Sequence, residues 1–433
     1  MRGKVKIFFT LAALCILLTE SFCYPAFAIP ENNPIAQSDR EFLEKIEKES
    51  FIYFQKFINQ KTGLVLDSSS PGSPSSIAAT GFACAAYAIA QSHGWIGYRE
   101  AYQMIERIFE TLETKAAGKN GFYFHFLDPS TGSRTWSSEI SSIDTALLMA
   151  GILLAGEYFK GTELETRAQK LYAKVNWKWM TNGSLLISHG WKPKQGFLPY
   201  YWDMYSEHLI MLALAMGSPT YPVPQEAWTQ WKRTEDTYNG RKIVYSFSGS
   251  LFTYQYSQAF IDFRFLKDGK INYFENSKQA TLANKEFCLE HKSEYPASYD
   301  ETIWGLSASL GPDGYKPYGA EPGQALHDGT IAPYSIVSSI VFTPKESITA
   351  LHTIDERYHA KIYGPYGFKD AFNADRNWWA NEYLGIDQGI TVIMLENFLN
   401  DGAIWKKFMH LESIQRWIKL SGLKFKTESD LTS

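Results

Sequence analysis

Carboxylates and aromatic rings gather at three places in the sequence, each just before an apolar run that predicts a helix. Glu139 and Asp144 follow Trp136 in the first, Glu207 lies in the second, and Asp387 lies in the third. A protonated and an ionised carboxyl placed across a bond can perform general acid–base catalysis without a cofactor. If these helix starts meet at one end of a helical fold, the acids can share one site.

Glu207 has the spacing expected of a buried acid. It precedes Ile210 and Met211 by about one helical turn, which predicts a position at the top of the buried helix face. Trp202 and Tyr205 lie nearby in the chain. A carboxyl in such apolar surroundings has a raised pKa, as a proton donor requires. A first-turn glutamate that complements the helix dipole explains the spacing equally well.

The first acidic stretch has a structural explanation for one of its two carboxylates. Ser141 and Asp144 have the spacing of a capping box at the start of a helix. Glu139 lies before the cap, next to Trp136, so we expect it to face a cavity or an arginine such as Arg134. The five-residue offset between Glu139 and Asp144 predicts that they do not share a helical face, which favours a wall of the site over a catalytic pair.

Two further acids have structural alternatives. Asp387 could be a simple N-cap, although Gly385 and Gly389 beside it also permit close approach of another chain segment or a ligand. Asp262 and Arg264 lie near the end of a predicted buried helix. A structural ion pair is the favoured interpretation for these two residues.

Other catalytic chemistries lack their sequence signals. The chain has no G-x-S-x-G, P-loop, dinucleotide-binding or HExxH motif. His125, His208 and His327 are scattered, so they are at most substrate contacts. Cys84 and Cys288 are not in a zinc-binding arrangement, and the sequence leaves a disulfide between them open. We therefore predict neither a metal nor a cofactor.

Composition narrows the class of partner. Aromatic residues make up 15% of the chain, with 13 Trp and 26 Tyr. Rings with a polar handle suit the apolar faces of sugars, and they also suit protein interfaces; the first interpretation is favoured. The formal net charge is −4. A mildly acidic chain argues against nucleic acid or an anionic membrane as partner.

The N-terminus predicts export. Three basic residues precede an apolar segment over 7–18, and Ala26-Phe27-Ala28 is a typical cleavage site. We expect a signal peptide over 1–28, cleaved after Ala28, because the apolar segment is too short to span a membrane. The mature chain is then expected in the periplasm of a bacterium or outside the cell, free of the membrane.

Helical periodicity continues through most of the mature chain. A leader over 29–38, one domain over 39–424 and a polar, frayed tail over 425–433 are predicted. The helix count and the lack of a linker favour an all-α (α/α)6 toroid with short β-hairpin excursions at the cavity rim. The predicted helices cover 39–58, 75–91, 98–114, 141–159, 163–180, 207–217, 225–232, 253–265, 273–291, 333–341, 345–358, 388–399 and 405–420.

Ordered motifs along nearly the whole mature chain carry a family resemblance. The chain resembles the glycoamylase-like family, which includes the bacterial endo-β-1,2-glucanases of glycoside hydrolase family 144, and a domain of cyclic β-1,2-glucan synthases. The matching segments include SSIAATGF from Ser75, GFYFHFLD from Gly121, SEISSIDTALL from Ser138, YSE ending at Glu207, DFR from Asp262, WGLSAS from Trp304, DGTIAP from Asp328, GFKDAFN from Gly367 and GIDQG from Gly385.

The resemblance implies an (α/α)6 barrel and hydrolysis of a β-glucan, most directly β-1,2-glucan, with inversion. It makes Glu207 the general acid and Asp387 the general base, acting on water directly or through a substrate hydroxyl. It implies sugar contacts from Glu139 and Asp144. Further predicted substrate-binding residues are Trp136, Asp67, Tyr205, Trp202, Trp304, Arg264 and Asp370.

The same resemblance leaves two alternative functions: a transglycosylase acting on β-1,2-glucan, and an inactive carbohydrate-binding protein on the same barrel. We expect a monomer. Leu310 stands where the family pattern favours Asp, and Tyr254 where it favours His. These departures bear on the identity of the substrate more than on the fold.

Overall fold

The computed structural model describes residues 35–426, so the predicted signal peptide and its cleavage site lie outside the described part. Within that part the chain forms fifteen helices. They are α1 (Gln37–Lys56), α2 (Ile77–Ser92), α3 (Tyr98–Thr114), α4 (Ser142–Tyr158), α5 (Glu163–Ala173), α6 (Trp177–Met180), α7 (Leu209–Gly217), α8 (Ala227–Gln230), α9 (Phe252–Phe260), α10 (Tyr273–Glu290), α11 (Pro333–Ser338), α12 (Pro344–Ile362), α13 (Gly385–Leu399), α14 (Ala403–Met409) and α15 (Glu412–Ser421).

Seventeen strands of two to four residues alternate with the helices over the same range. They are β1 (Ser75–Ser76), β2 (Gly118–Lys119), β3 (Phe122–Tyr123), β4 (Phe126–Leu127), β5 (Ile140–Ser141), β6 (Gly190–Lys192), β7 (Gly196–Phe197), β8 (Glu235–Tyr238), β9 (Arg241–Val244), β10 (Leu266–Lys267), β11 (Ala308–Ser309), β12 (Lys316–Pro317), β13 (Tyr363–Gly364), β14 (Gly367–Phe368), β15 (Phe372–Asn373), β16 (Trp378–Trp379) and β17 (Lys424–Phe425). All pair antiparallel. The β5–β6–β7 sheet has three strands and the other sheets have two.

Six helices are buried along most of their length: α2, α4, α7, α9, α11 and α13. In this set α2 contacts α4, α4 contacts α7, α7 contacts α9, and α13 contacts α9, α11 and α2. Each inner helix also packs against one outer helix: α2 against α3, α4 against α5, α7 against α15, α9 against α10, α11 against α12, and α13 against α1. The result is a helix-rich fold with an inner and an outer set of helices.

Small residues set the closest contact in the inner set, between α2 and α4. A Cβ atom at Gly151 would lie 1.9 Å from the Gly81 carbonyl oxygen, and one at Gly81 would lie 2.4 Å from Leu148 Cα. Only glycine permits backbones to approach this closely. The outer helix α3 instead shows one buried stripe at three- and four-residue spacing, which includes Ala101, Met104 and Ile108.

Three predictions about local structure were wrong. The single helix expected over 405–420 is two helices, because α14 ends at Met409 and α15 begins at Glu412. The helix expected over 163–180 is interrupted, because the Asn176 side chain accepts a hydrogen bond from Trp179 N (2.9 Å) and starts the separate helix α6. Phe425, predicted to begin the frayed tail, lies instead in β17 with Lys424 and pairs with β10, whereas residues 427–433 lie outside the described part of the chain. The β8–β9 hairpin was not predicted, although its Asn239-Gly240 turn, at φ 47° and 76°, is a strong hairpin signal.

The core consists of two clusters of buried apolar residues, with Cys84 in the first and Cys288 in the second. Both cysteines are free, which answers the open question of a disulfide. Among residues 35–426, no helix is both long and apolar enough to cross a membrane.

Candidate active site

A cleft runs across the ends of the inner helices at which α4, α9 and α13 begin. A larger cavity of about 900 Å³ and a smaller one of about 620 Å³ form its two arms. A narrow passage of about 90 Å³ lies between them, and it shares Asp144 and Tyr315 with the larger cavity and Glu207 and Phe252 with the smaller one. The predicted meeting of acids at one end of the helices is therefore observed for Asp144 and Glu207.

Glu207 lies two residues before α7 and not within it. His208 is the N-cap residue, so the predicted helix start at 207 was early. The hydroxyl of Ser257, on α9, donates to the Glu207 carbonyl oxygen (2.6 Å) and accepts from Ile210 N (3.0 Å). This pair of hydrogen bonds fixes the backbone of Glu207 against α9, and the side chain enters the passage.

The surroundings of Glu207 favour its protonated form. The residue is 9% exposed. Burial raises the pKa of its carboxyl to about 7, despite a hydrogen bond donated by the Ser206 hydroxyl, and the charge of Asp144 contributes to the rise. A carboxyl with this pKa retains its proton at mildly acidic pH and can donate it. The raised pKa inferred from spacing agrees with the structure.

Asp387 is the third residue of α13, whose N-cap residue is Leu384, so the N-cap alternative was wrong. The flanking glycines admit a neighbouring helix. A Cβ atom at Gly389 would lie 2.4 Å from Phe82, and one at Gly385 would lie 2.7 Å from Ala79 Cβ, both on α2. Close packing of α13 on α2 therefore explains these glycines.

Asp387 and Asp370 form a buried carboxyl pair, 2% and 1% exposed. Burial raises the pKa of Asp370 to about 6, and burial together with the charge of Asp370 raises the pKa of Asp387 well above its usual range. Leu310 N donates to Asp370 Oδ2 (2.7 Å), and the Tyr256 hydroxyl donates to Asp387 Oδ1 (3.3 Å). Since two adjacent carboxyls resist a second charge, the pair shares one proton.

Glu139 and Asp144 meet at His125, a partner that sequence reasoning missed for both. The His125 Nδ1 atom lies 3.1 Å from Glu139 Oε1, and Nε2 lies 3.5 Å from Asp144 Oδ1. Burial lowers the pKa of His125, but the charge of Asp144 and the hydrogen bond to Glu139 outweigh it and raise the pKa to about 9. The same hydrogen bond lowers the pKa of Glu139 to about 2.

The argument from the five-residue offset was therefore wrong, because Glu139 precedes the helix and both carboxylates turn toward one imidazole. The expected partner Arg134 instead donates to the carbonyl oxygens of Ser137 and Ser138 (both 2.6 Å). The predicted cap is present, since the Ser141 hydroxyl oxygen accepts from Asp144 N (3.2 Å).

Asp67 also lines the larger cavity. Burial raises the pKa of its carboxyl to about 6, with His125 lowering it and Asp144 raising it further. The backbone carbonyl of Asp67 accepts from Gly385 N (2.7 Å), which ties its loop to the start of α13. The structure thus brings Asp67 to the cleft.

Trp136 and Trp202 lie in different arms of the cleft. Trp136 lines the larger cavity, is 64% exposed and has φ 53°. That left-handed conformation is uncommon for a bulky residue and is typical of functional loops. Trp202 lines the smaller cavity, donates from Nε1 to Ser142 Oγ (3.0 Å) and stacks on His189. Their rings can contact sugars on opposite sides of the passage.

The structure places two predicted substrate-binding residues away from the cleft. Trp304 is fully buried in the second core cluster. Arg264 follows the far end of α9, where its guanidinium pairs with both carboxylate oxygens of Asp262 (2.9 and 2.8 Å). The structural ion pair favoured for Arg264 is present, and Trp304 and Arg264 are corrected as substrate contacts. Tyr205 lines the smaller cavity, although it is only 2% exposed and stacks on Tyr273.

Tyr315 was not predicted as a site residue. It stands on the β11–β12 hairpin, is 55% exposed, and lines both the larger cavity and the passage. Burial of its hydroxyl, followed by the charges of Asp387 and Asp370, raises its pKa well above the usual range. The GPDGY turn from Gly311 marks this loop in the sequence, but nothing in it indicates that the ring reaches the acids.

Comparisons with known proteins agree with this geometry. Residues 199–412 match a family model for glycoamylase, described as putative glucoamylase. An exo β-1,2-glucooligosaccharide sophorohydrolase acting at the non-reducing end, from Parabacteroides distasonis, is 28% identical over 89% of this chain. The chain spans only 58% of that relative's length.

Solved structures share the fold over nearly the full chain. An endo-β-1,2-glucanase from Chitinophaga pinensis, in complex with sophorotriose and glucose, superposes with a TM-score of 0.84 at 28% identity, over 90% of this chain and 99% of that one. A putative glucoamylase from Bacteroides uniformis gives 0.84 at 29% identity, over the same shares. Over residues 199–412 the chain is similar to the glycoamylase-like family.

Proposed function

We propose that this protein is a glycoside hydrolase that cleaves β-1,2-glucan within the chain, with inversion. The observation that carries the proposal is the placement of the protonated Glu207 carboxyl in a passage with open cavities on both sides. A polysaccharide can pass through such a cleft with sugar units on each side of the cleaved bond. Relatives named as β-1,2-glucan hydrolases support the linkage.

The six inner and six outer helices support an (α/α)6 toroid as the architecture. The contacts of α13 with α2 join the last inner helix to the first. The remaining link, between α9 and α11, is made by Gln255, whose Nε2 donates to the Ser335 carbonyl oxygen (2.7 Å). The starts of the inner helices then surround one end of the ring, which is where the cleft lies.

In the proposed reaction, Glu207 gives its proton to the glycosidic oxygen as the bond to the anomeric carbon breaks. A water molecule attacks that carbon from the opposite face of the sugar, and Asp387 accepts the water's proton, directly or through a substrate hydroxyl. Asp387 can accept this proton in the form of the pair in which the single shared proton lies on Asp370, because the pair can then bind a second proton. Exchange with solvent then returns a proton to Glu207.

Asp144, which lines the larger cavity, and Glu139, which shares His125 with it, are assigned to binding. Their carboxyl oxygens can accept hydrogen bonds from sugar hydroxyls. Trp136 and Trp202 are proposed to stack on sugar faces in the two arms.

The test is release of products from linear β-1,2-glucan by the purified protein, with the anomer followed by NMR. Short oligosaccharides formed initially as the α-anomer support internal cleavage with inversion. Release of a single disaccharide from the first minutes indicates an exo-acting enzyme, and products longer than the substrate indicate a transglycosylase. If the wild type binds the glucan but releases no product, and Glu207→Gln binds it equally well, the protein is a carbohydrate-binding protein and not a hydrolase.

Export and a monomeric state are part of the same proposal. The sequence signal for cleavage after Ala28 supports export. Expression with residues 1–28 in a bacterial host should give a mature N-terminus at Ile29 outside the cytoplasm. Light scattering of the purified chain should give the mass of one copy.

A further inference from the structure

A second cluster of acidic and imidazole side chains lies at the other end of the inner helices. Glu47 comes from α1, His93 follows the last residue of α2, and Glu396 is in the last turn of α13. One ligand atom from each lies within 4.8 Å of the others. Since α13 rises about 1.5 Å per residue, the cluster is about 13 Å from Asp387 along the helix.

Glu47 is the anomalous member of the cluster. It is fully buried, and within residues 35–426 neither of its carboxylate oxygens has a hydrogen-bond partner. Nearby Arg40 is engaged elsewhere: it pairs with Glu44 (2.9 Å) and donates to the Leu399 carbonyl oxygen (3.1 and 3.2 Å). A buried carboxyl without a partner is costly, so the position calls for a ligand that is not a protein side chain.

The other two members contact each other beside Glu47. His93 Nε2 lies 2.8 Å from Glu396 Oε2, and the imidazole ring stacks on Trp95 with centroids 4.8 Å apart. Asn400 Nδ2 donates to the same Glu396 oxygen (2.5 Å). The His93 side chain is 28% exposed. That exposure leaves a route from solvent to an otherwise buried site.

We propose that Glu47, His93 and Glu396 bind one divalent transition-metal cation of the zinc class. Two carboxylates and one imidazole are a recognised donor set for Zn²⁺ and neighbouring ions, with a fourth position open to water. The cation neutralises both carboxylates and supplies a partner for Glu47. Ca²⁺ and Mg²⁺ fit less well, because they prefer oxygen donors alone.

The bound cation would be structural. The three ligands come from three helices that pack together, since α1 contacts both α13 and α2, and α13 contacts α2. A shared ion therefore fixes the outer helix α1 to two helices of the inner set. Stabilisation by an ion that binds only the folded chain rises with the free ion concentration.

A proton shared between Glu47 and Glu396 is the rival explanation. Such a proton would neutralise one carboxyl, but it would give Glu47 at most one hydrogen bond and leave its second oxygen without a partner among residues 35–426. The two explanations differ in what Glu47→Gln does. The amide replaces a protonated carboxyl with little loss, but it removes a charged metal ligand.

The experiment uses the full-length mature protein without a histidine tag, stripped with chelator and then titrated with ZnCl₂. We expect one equivalent of zinc by mass spectrometry of the dialysed protein, and a rise in Tm of at least about 2 °C. Glu47→Gln and His93→Gln should lower zinc affinity at least tenfold. Glu44→Gln removes the same charge from α1, leaves the ligands intact, and should bind as the wild type does.

The proposal is overturned if the wild type retains no zinc at millimolar concentration, if Glu47→Gln binds it equally well, or if Ca²⁺ stabilises the protein and Zn²⁺ does not. Hydrolysis of β-1,2-glucan is a separate readout. The stripped protein should retain its activity at a temperature well below its Tm, because the cluster is remote from the cleft. Failure of either proposal therefore leaves the other intact.

Discussion

Two groups of carboxylates, each with one member in the cleft, have opposite electrostatic surroundings. Glu139 and Asp144 share the imidazole of His125, and the pKa of Glu139 falls to about 2. Glu207, Asp370 and Asp387 are buried without such a cation, and their pKa values rise. Glu139 stays ionised and the first group suits hydrogen bonding to sugars, whereas the second carries the exchangeable protons that catalysis needs.

The largest effect is expected from removing the proton of Glu207. Glu207→Gln should lower kcat about 10³- to 10⁴-fold, as loss of a general acid does, and leave KM nearly unchanged. The measurement is product release from linear β-1,2-glucan under saturating conditions. Glu226→Gln, at an exposed position later in the chain, is the matched control and should behave as the wild type. A loss below tenfold would assign the proton to another group.

Asp387→Asn should lower kcat about 10²- to 10³-fold, because the amide cannot accept a proton from water. Steady-state kinetics on the same substrate measure the loss. Asp401→Asn, at an exposed position just beyond α13, controls for the loss of a charge. If Asp370→Asn is the more damaging change, the base is Asp370 and the two members of the pair exchange roles.

The raised pKa of Glu207 also makes the stability of the folded protein depend on pH. The carboxyl of Glu207 has a pKa of about 7 in the folded protein against 4.5 when exposed. The folded state therefore binds the proton more tightly, and the associated stability, complete below pH 4.5, is lost as pH rises through 7. Denaturant unfolding measures the free energy of unfolding of both proteins. The value for Glu207→Gln should rise by about 3 kcal/mol relative to that of wild type as the pH is raised from 4.5 to 8. A pH-independent difference would contradict the raised pKa.

His125→Gln should have a smaller effect, and the effect should be on substrate binding. The amide can keep one hydrogen bond but removes the charge that balances Glu139 and Asp144, so KM should rise about tenfold with little change in kcat. His352→Gln, which breaks a surface pair with Asp39, is the control. A loss confined to kcat would place His125 among the groups that move protons.

Local patterns in the sequence were enough to predict most helices and the position of Glu207. Apolar spacing identified α3 at its observed bounds. It also placed Glu207 at the top of a buried helix, because burial of a helix face is a local property. The Asn239-Gly240 turn carries an equally local signal, because this residue pair favours a two-residue hairpin loop.

Side-chain contacts between residues of different elements could not be predicted from local patterns. Asp370 and Asp387 are 17 residues apart, and His125, between β3 and β4, is 14 residues from Glu139, just before β5. Their pairing depends on tertiary packing, which has no periodic signal. Residue type alone also misplaced Trp304 and Arg264, since a tryptophan can fill a core and an arginine can pair with an aspartate as readily as either can contact a sugar.

The central claim is that Glu207 donates its proton because burial raises its pKa, and the pH profile of kcat/KM tests it most directly. That ratio reports the ionisations of the free protein. We predict a bell with an alkaline limb near pH 7 from Glu207 and an acidic limb near pH 6 from the Asp370–Asp387 pair. A profile that stays flat from pH 6 to about pH 9 would contradict the claim.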